Sequence, residues 1–258
     1  MSKLTDKLHE LGRAQSAPIG FGPRRQETRK PSMLVIGSIP AEKLSGDGLS
    51  EKLDAVIVTD AESLAGGGSA PGPLEGKHWG VALSDASGEQ LDALKEAGCD
   101  FVLAADENGP AVLLREDDMS RGMETNLELS EDRARALECL PTDFLTLETP
   151  DELWPLKLSG LIRLQSVIGL VSKHILLRVD HAPAPDELAV LRDLPVDALI
   201  FDLERIQAGE IASARERIEA LPPRKPRSTE GRRDAVLPSS HGSANDEDWD
   251  DDDDDDVW

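Results

Sequence analysis

The chain has 258 residues and a formal net charge of −23, with four Trp, four Phe and no Tyr. Of that charge, about −20 lies within residues 33–220. A body this acidic repels phosphate backbones, which argues against nucleic-acid binding by the folded part. No apolar run approaches the ~20 residues a membrane helix needs. The N-terminus also lacks the apolar core of a secretory leader, so a soluble, cytoplasmic protein is expected.

The first element is "SKLTDKLHELGRAQ" (2–15), where Leu4, Leu8 and Leu11 recur at helical spacing. A short amphipathic helix that covers the body is expected there. It is too short and too weakly basic to favour a membrane surface. "IGFGPRRQETRK" (19–30) reads as a flexible basic lead-in. Its Gly20, Gly22, Arg24 and Arg25 are a weak signal for an anion nest. Residues 1–32 thus form a helix and basic lead-in ahead of a domain spanning 33–221.

Within that domain four segments share one pattern: "LSEKLDAVIVTD" (49–60), "LKEAGCDFVLAAD" (94–106), "LECLPTDFLTLET" (137–149) and "LRDLPVDALIFDL" (191–203). Each reads as a helix end, a turn, an Asp (Asp54, Asp100, Asp143, Asp197), an apolar run and then a polar residue. Four further strand candidates alternate with them: "SMLVIGSI" (32–39), "KHWGVALSD" (77–85), "TNLELS" (125–130) and "KHILLRVD" (173–180). The apolar runs are mostly continuous, as in strands covered on both faces of a parallel sheet. Helical patterns with cap residues fall at 87–98, 130–140, 149–173, 185–194 and 204–221. Residues 61–76 are too rich in Gly and Pro for a full helix, and 107–124 have room only for a short one.

Eight strands alternating with helices suit an α/β (β/α)8 TIM-like barrel with one or two weak helices. The rival is an open doubly wound sheet in which 125–130 is a loop. The repeated strand, helix and Asp-led strand resembles the quarter-barrel unit of the phosphate- and flavin-binding TIM barrels over residues 33–203. That resemblance implies the architecture alone. Those barrels carry Gly-rich loops after strands seven and eight, where this chain has "VDHAPAP" and "FDLERI". A phosphate grip, and with it a flavin, is therefore not expected, and no catalytic residue is carried over.

In such a barrel the C-terminal strand ends form the active-site mouth. Here they are acidic: Asp60, Asp85, Asp106, Glu128, Glu148, Asp180 and Asp202. Carboxylates there can hold a hard cation such as Mg²⁺, for which Asp60, Asp85 and Asp106 are the candidates. They can also serve as acid and base. The simpler reading makes Asp60, Asp85 and Asp106 caps of the following turns. Alternation along strand seven turns Leu176, Arg178 and Asp180 inward, opposite Ile175, Leu177 and Val179. An inward arginine needs a partner, and Glu128 and Glu148 are the expected ones. The candidate catalytic set is Arg178, Asp180, Glu148, Glu128, His181 and Asp202, with Thr146 facing the same space. Arg178 would grip an anionic group, and a carboxylate or His181 would move a proton. The alternative is an ion network that merely fills the barrel top.

Two functions follow. One is an enzyme acting on a small anionic or carbonyl metabolite by proton transfer or metal-assisted lyase-type chemistry. The other is a non-catalytic barrel that works as an interaction module. No Lys lies at a strand end for Schiff-base chemistry, and no zinc spacing is present. Cys99 and Cys139 read as small buried residues. Residues 222–245 have the composition of a disordered linker. The tail "DEDWDDDDDDDVW" (246–258) carries ten acids and no base. It is suited to solvation or to binding a basic protein surface, with Trp249 and Trp258 as anchors.

Overall fold

In a computed structural model, residues 2–12, 31–44, 52–60, 64 and 72–222 are described. The chain divides into a unit Met1–Lys225 and a second unit Pro226–Trp258. The second unit, the acidic tail, most of the linker and the basic lead-in at 19–30 lie outside the described residues.

Eight parallel strands close into one barrel in chain order: β1 (Leu34–Pro40), β2 (Ala55–Thr59), β3 (Trp79–Leu83), β4 (Phe101–Ala104), β5 (Ser120–Thr125), β6 (Phe144–Leu147), β7 (His174–Val179) and β8 (Ala198–Asp202). Helix α1 (Lys3–Gly12) precedes them. Then α2 (Gly88–Glu96), α3 (Glu131–Cys139), α4 (Leu158–Ile168), α5 (Pro185–Asp193) and α6 (Ala208–Ala220) follow β3, β5, β6, β7 and β8. The thin connections contain short 3-10 turns at Gly72–Leu74 and Ala111–Arg115. Helix α4 is shorter than the expected span of 149–173. Pro150 leads only into a 3-10 turn, Asp151–Leu153, and the helix begins after Pro155. The open-sheet alternative is excluded, because β1 pairs with both β2 and β8.

Strand five is a correction. It runs over "SRGMET" rather than "TNLELS". The reason is local. Asn126 Oδ1 accepts the Glu128 amide at 2.9 Å, a turn that ends the ladder, and Leu127 packs into the core from a loop. Gly122 was the informative residue. A Cβ there would lie 2.1 Å from Phe144 Cε2, so only glycine lets the neighbouring ring cross the barrel.

The register sorts the interior into layers drawn from alternate strands, with a stagger of about eight residues around the barrel. Phe101 and Phe144 share a layer with Ala55 and Ala198 and meet edge-on, ring centroids 6.0 Å apart. Gly80 makes room for Phe101 as Gly122 does for Phe144. The two alanines leave space at the N-terminal end, and α1 fills it. Leu4 and Leu8 are fully buried in the same cluster as Phe101, Phe144 and Ile36. Burying each leucine is worth about 2 kcal/mol.

Three of the four Asp of the repeat tie neighbouring strand feet together. Asp54, Asp143 and Asp197 accept the amides of Val35, Arg121 and Ile175 on the preceding strand at 2.8, 2.8 and 3.1 Å. Asp100 departs from this pattern. Its carboxylate takes the Ser2 hydroxyl and the Lys3 and Leu4 amides at 2.8–2.9 Å, capping the N-terminus of α1 from across the chain. Lys7 Nζ adds a bond to the Asp54 carbonyl, and Thr5 bonds Ser120. Cys99 is buried, and burial pushes its thiol up to about 12. Cys139 is exposed, contrary to expectation, because it falls in the last turn of α3 and not in a strand. No helix among the described residues is long and apolar enough to cross a membrane.

Candidate functional site

The outer face of β7 carries Ile175, Leu177 and Val179, all essentially buried under helices. Strand alternation therefore turns Leu176 and Arg178 into the barrel. Leu176 joins the interior core. Arg178, one step nearer the C-terminal end, reaches the last layer before the mouth. Its layer partners by register are Ser38 of β1, Ala82 of β3 and Glu124 of β5.

Arg178 and Glu124 form a two-pronged ion pair: Nε to Oε1 at 3.1 Å and Nη2 to Oε2 at 2.9 Å. Nη1 donates to Ser38 Oγ at 3.2 Å. The small Ala82 leaves the fourth side of the layer open. Both charged side chains keep some contact with solvent, 19% and 16% of full exposure. A guanidinium has five N–H groups. Three are engaged here, and one on each Nη has no acceptor among the described residues. Below lies a dry layer of Ile57, Leu103, Ile200 and Thr146. The Thr146 hydroxyl is buried with no partner among the described residues.

The expected partners of Arg178 are thus corrected. Glu128 is outside any strand, exposed, and 3.8 Å from Arg163 of α4. Glu148 is exposed beyond the end of β6. Glu124 was missed because "SRGMET" has one large apolar residue on its outer face, Met123, and so does not read as a strand. Placing the strand by Gly122 would have found Glu124.

Above the ion-pair layer, Asp202 and Asp180 are half-buried and share Arg205. Its Nε is 3.3 Å from Asp202 Oδ2 and its Nη1 is 3.4 Å from Asp180 Oδ1. Asp202 Oδ1 also accepts the Glu204 amide at 2.9 Å. The Glu204 amide of the β8 loop is therefore held by a carboxylate. After β7, Pro183 and Pro185 lack N–H groups, and the Ala184 amide goes to Glu187 at 2.8 Å. These bonds occupy the Glu204 and Ala184 amides with carboxylates of the chain.

His181 packs edge-on against Trp154, 4.7 Å between ring centroids. Trp154 Nε1 donates to Thr149 Oγ1 at 3.3 Å, and that hydroxyl donates to the Arg178 carbonyl at 2.7 Å. The β6–α4 loop is thereby tied to the strand that carries Arg178, with His181 at its edge. Asp60, Asp85 and Asp106 are all exposed, on three separate loops. Asp60 takes a left-handed φ of 52°. Asp106 turns onto the Asn108 amide at 2.7 Å, as the turn-capping reading expects. The three do not converge, and no group of three or more His, Cys, Asp or Glu among the described residues is placed to hold a metal.

No protein-family model matches this chain, and no curated protein sequence matches it. Its fold does match solved structures. It is similar to 3-hexulose-6-phosphate synthase from Salmonella typhimurium, with 14% identity and a TM-score of 0.52, covering 72% of this chain and 97% of that one. KGPDC from Streptococcus mutans gives 11% identity and a TM-score of 0.53, covering 72% and 98%. Tryptophan synthase subunit alpha from Legionella pneumophila gives 12% and 0.51, covering 86% and 95%. At these identities the likeness establishes the (β/α)8 fold and nothing finer.

Proposed function

We propose that the barrel is an enzyme acting on a small carbonyl or carboxylate metabolite at its C-terminal mouth. The observation that carries this reading is the pair of N–H groups on Arg178 that have no acceptor among the described residues, on a side chain in the mouth layer that keeps some contact with solvent. Glu124 and Ser38 hold the guanidinium in one orientation, so little entropy is lost when it receives a ligand oxygen. Glu148, Asp180 and Asp202 on the rim supply groups able to take or give a proton. His181, set against Trp154, borders the same space.

The ligand class is narrowed by charge. Glu124 neutralises most of the Arg178 charge, the rim is acidic, and the Glu204 and Ala184 amides of the β8 and β7 loops are already held by carboxylates. A phosphorylated substrate is disfavoured, and one carbonyl or carboxylate group is the better fit. The metal-assisted variant has less support, because Asp60, Asp85 and Asp106 stand apart. The similarity of the fold to barrels that are enzymes agrees with this reading but does not carry it.

A second reading, the non-catalytic interaction barrel, is favoured by one feature: the Arg178–Glu124 pair already satisfies most of its own polar groups. A thermal-shift screen of carbonyl and carboxylate metabolites on the full chain separates the two. We expect at least one compound to raise the melting temperature of the wild type but not of the Arg178→Gln/Glu124→Gln double variant. That double variant keeps the packing and leaves no unpaired charge. If no compound acts, or the shift persists in the double variant, the mouth-enzyme reading fails.

A further inference from the structure

One polar side chain inside the barrel has no partner among the described residues. Leu145 and Leu147 of β6 are buried in the outer core under the helices, so Thr146 between them points inward. It has no exposed surface, and its hydroxyl makes no hydrogen bond. The other buried polar side-chain atoms without a bond among the described residues belong to Ser32, Glu116, Arg121 and Thr142. Those residues lie in loops or on the outer face of β5. A hydroxyl has one proton to give and lone pairs to receive others, and leaving all of them unused in a dry layer is unfavourable. Valine fills the same shape without that penalty.

The surroundings explain why the fold offers Thr146 no partner. Ile57, Leu103 and Ile200 of its own layer are apolar and fully buried. By register it stands beside Glu124 of β5 and Leu176 of β7. Leu176 is apolar, and both Glu124 oxygens are turned to Arg178. A partner for the hydroxyl has to come from the mouth layer above. There Arg178 keeps two N–H groups without an acceptor among the described residues, and Ala82 fills little of its side. Inward layers from neighbouring strands are offset by half the two-residue strand repeat, roughly 3 Å. That is about the separation between a carboxylate oxygen and an oxygen on the next carbon of a small acid.

We propose that Thr146 is the floor of the mouth site and selects a 2-hydroxy- or 2-oxocarboxylate as its ligand. The inference rests on the mouth reading of Arg178. The carboxylate lies on the N–H groups of Arg178, and the oxygen on carbon 2 meets the Thr146 hydroxyl. A threonine hydroxyl donates to an oxo group and accepts from a hydroxyl, so it takes both kinds of acid. A carboxylate lacking that oxygen leaves the hydroxyl unpaired, which is how a buried polar group discriminates between ligands.

The test uses the full chain and three probes of similar size: lactate, pyruvate and propionate, the last without an oxygen on carbon 2. Affinity is read from the concentration dependence of the melting temperature. The proteins are the wild type, Thr146→Val, Thr146→Ser and the Arg178→Gln/Glu124→Gln double variant. We expect lactate or pyruvate to bind the wild type at least several-fold more tightly than propionate. Thr146→Val should lose that preference while still binding propionate, and Thr146→Ser, which keeps the hydroxyl, should retain it. Without ligand, Thr146→Val should melt at the wild-type temperature or a few degrees above it, since it gives up no bond. A preference that survives in Thr146→Val overturns the inference, as does propionate binding as tight as that of lactate and pyruvate in the wild type. A marked fall in the melting temperature of Thr146→Val also overturns it, because the hydroxyl then has a partner within the fold. The mouth reading survives all three results provided that the double variant binds no probe. If no probe binds the wild type, the inference falls, and the mouth reading falls with it only if the wider metabolite screen is also empty.

Discussion

The two ends of this barrel are closed by different physics. At the N-terminal end an added helix packs Leu4 and Leu8 into the buried cluster that holds Ala55 and Ala198, and its first backbone amides are capped by Asp100. At the C-terminal end no helix enters among the described residues. The last layer is polar: Arg178, Glu124, Ser38 and the small Ala82, open to solvent above. An apolar plug contributes stability through its area and has no second arrangement to offer. A partly wet ion pair contributes little net stability but can exchange partners with a ligand. The contrast puts apolar packing at one end and exchangeable polar groups at the other.

The plug should break most expensively. Leu8→Ala removes a fully buried side chain from a packed cluster, and the cavity cannot collapse against strands fixed on all sides. We expect a loss of about 3 kcal/mol of unfolding free energy in urea melts. A loss below about 1 kcal/mol would mean that α1 is not part of the cooperative core.

The mouth pair should behave differently in a double-mutant cycle. Glu124→Ala alone strands the Arg178 charge against the dry layer of Ile57, Leu103 and Ile200. It should cost about 2 kcal/mol, below the range for a fully buried pair because water reaches the guanidinium. Arg178→Met combined with Glu124→Leu should recover most of that loss. If the double variant is as unstable as the single one, the pair is structural and the contrast between the two ends weakens.

Much of this architecture was legible in the sequence because outer and inner strand faces obey different rules. Ile175, Leu177 and Val179 must pack under helices, so Arg178 between them had to face inward, and it does. Strand five was illegible for the converse reason. Its outer face is Arg121 and Met123, and Arg121 reaches the Leu114 carbonyl and Asp117 rather than a core. With no apolar run to mark it, the strand was sought in the next alternating segment, and the true partner Glu124 was passed over for Glu128. The repeated Asp was recognised, yet its work was hidden. Asp54, Asp143 and Asp197 grip strand amides 19–22 residues away. The partners of Asp100 lie 96–98 residues away in α1, which no local pattern reports.

That exception supplies the finest test of the comparison. Asp100→Asn keeps the size of the side chain and one acceptor oxygen, but removes the charge that faces the helix N-terminus. We expect a global loss of about 1 kcal/mol, the usual scale for an N-cap. Its local signature matters more. Amide exchange should accelerate at Lys3 and Leu4, whose protons the carboxylate accepts, while protection in β5 and β7 around Glu124 and Arg178 stays unchanged. If exchange rises equally at both ends, plug and mouth open as one unit. Faster exchange confined to α1 means that the two ends open independently.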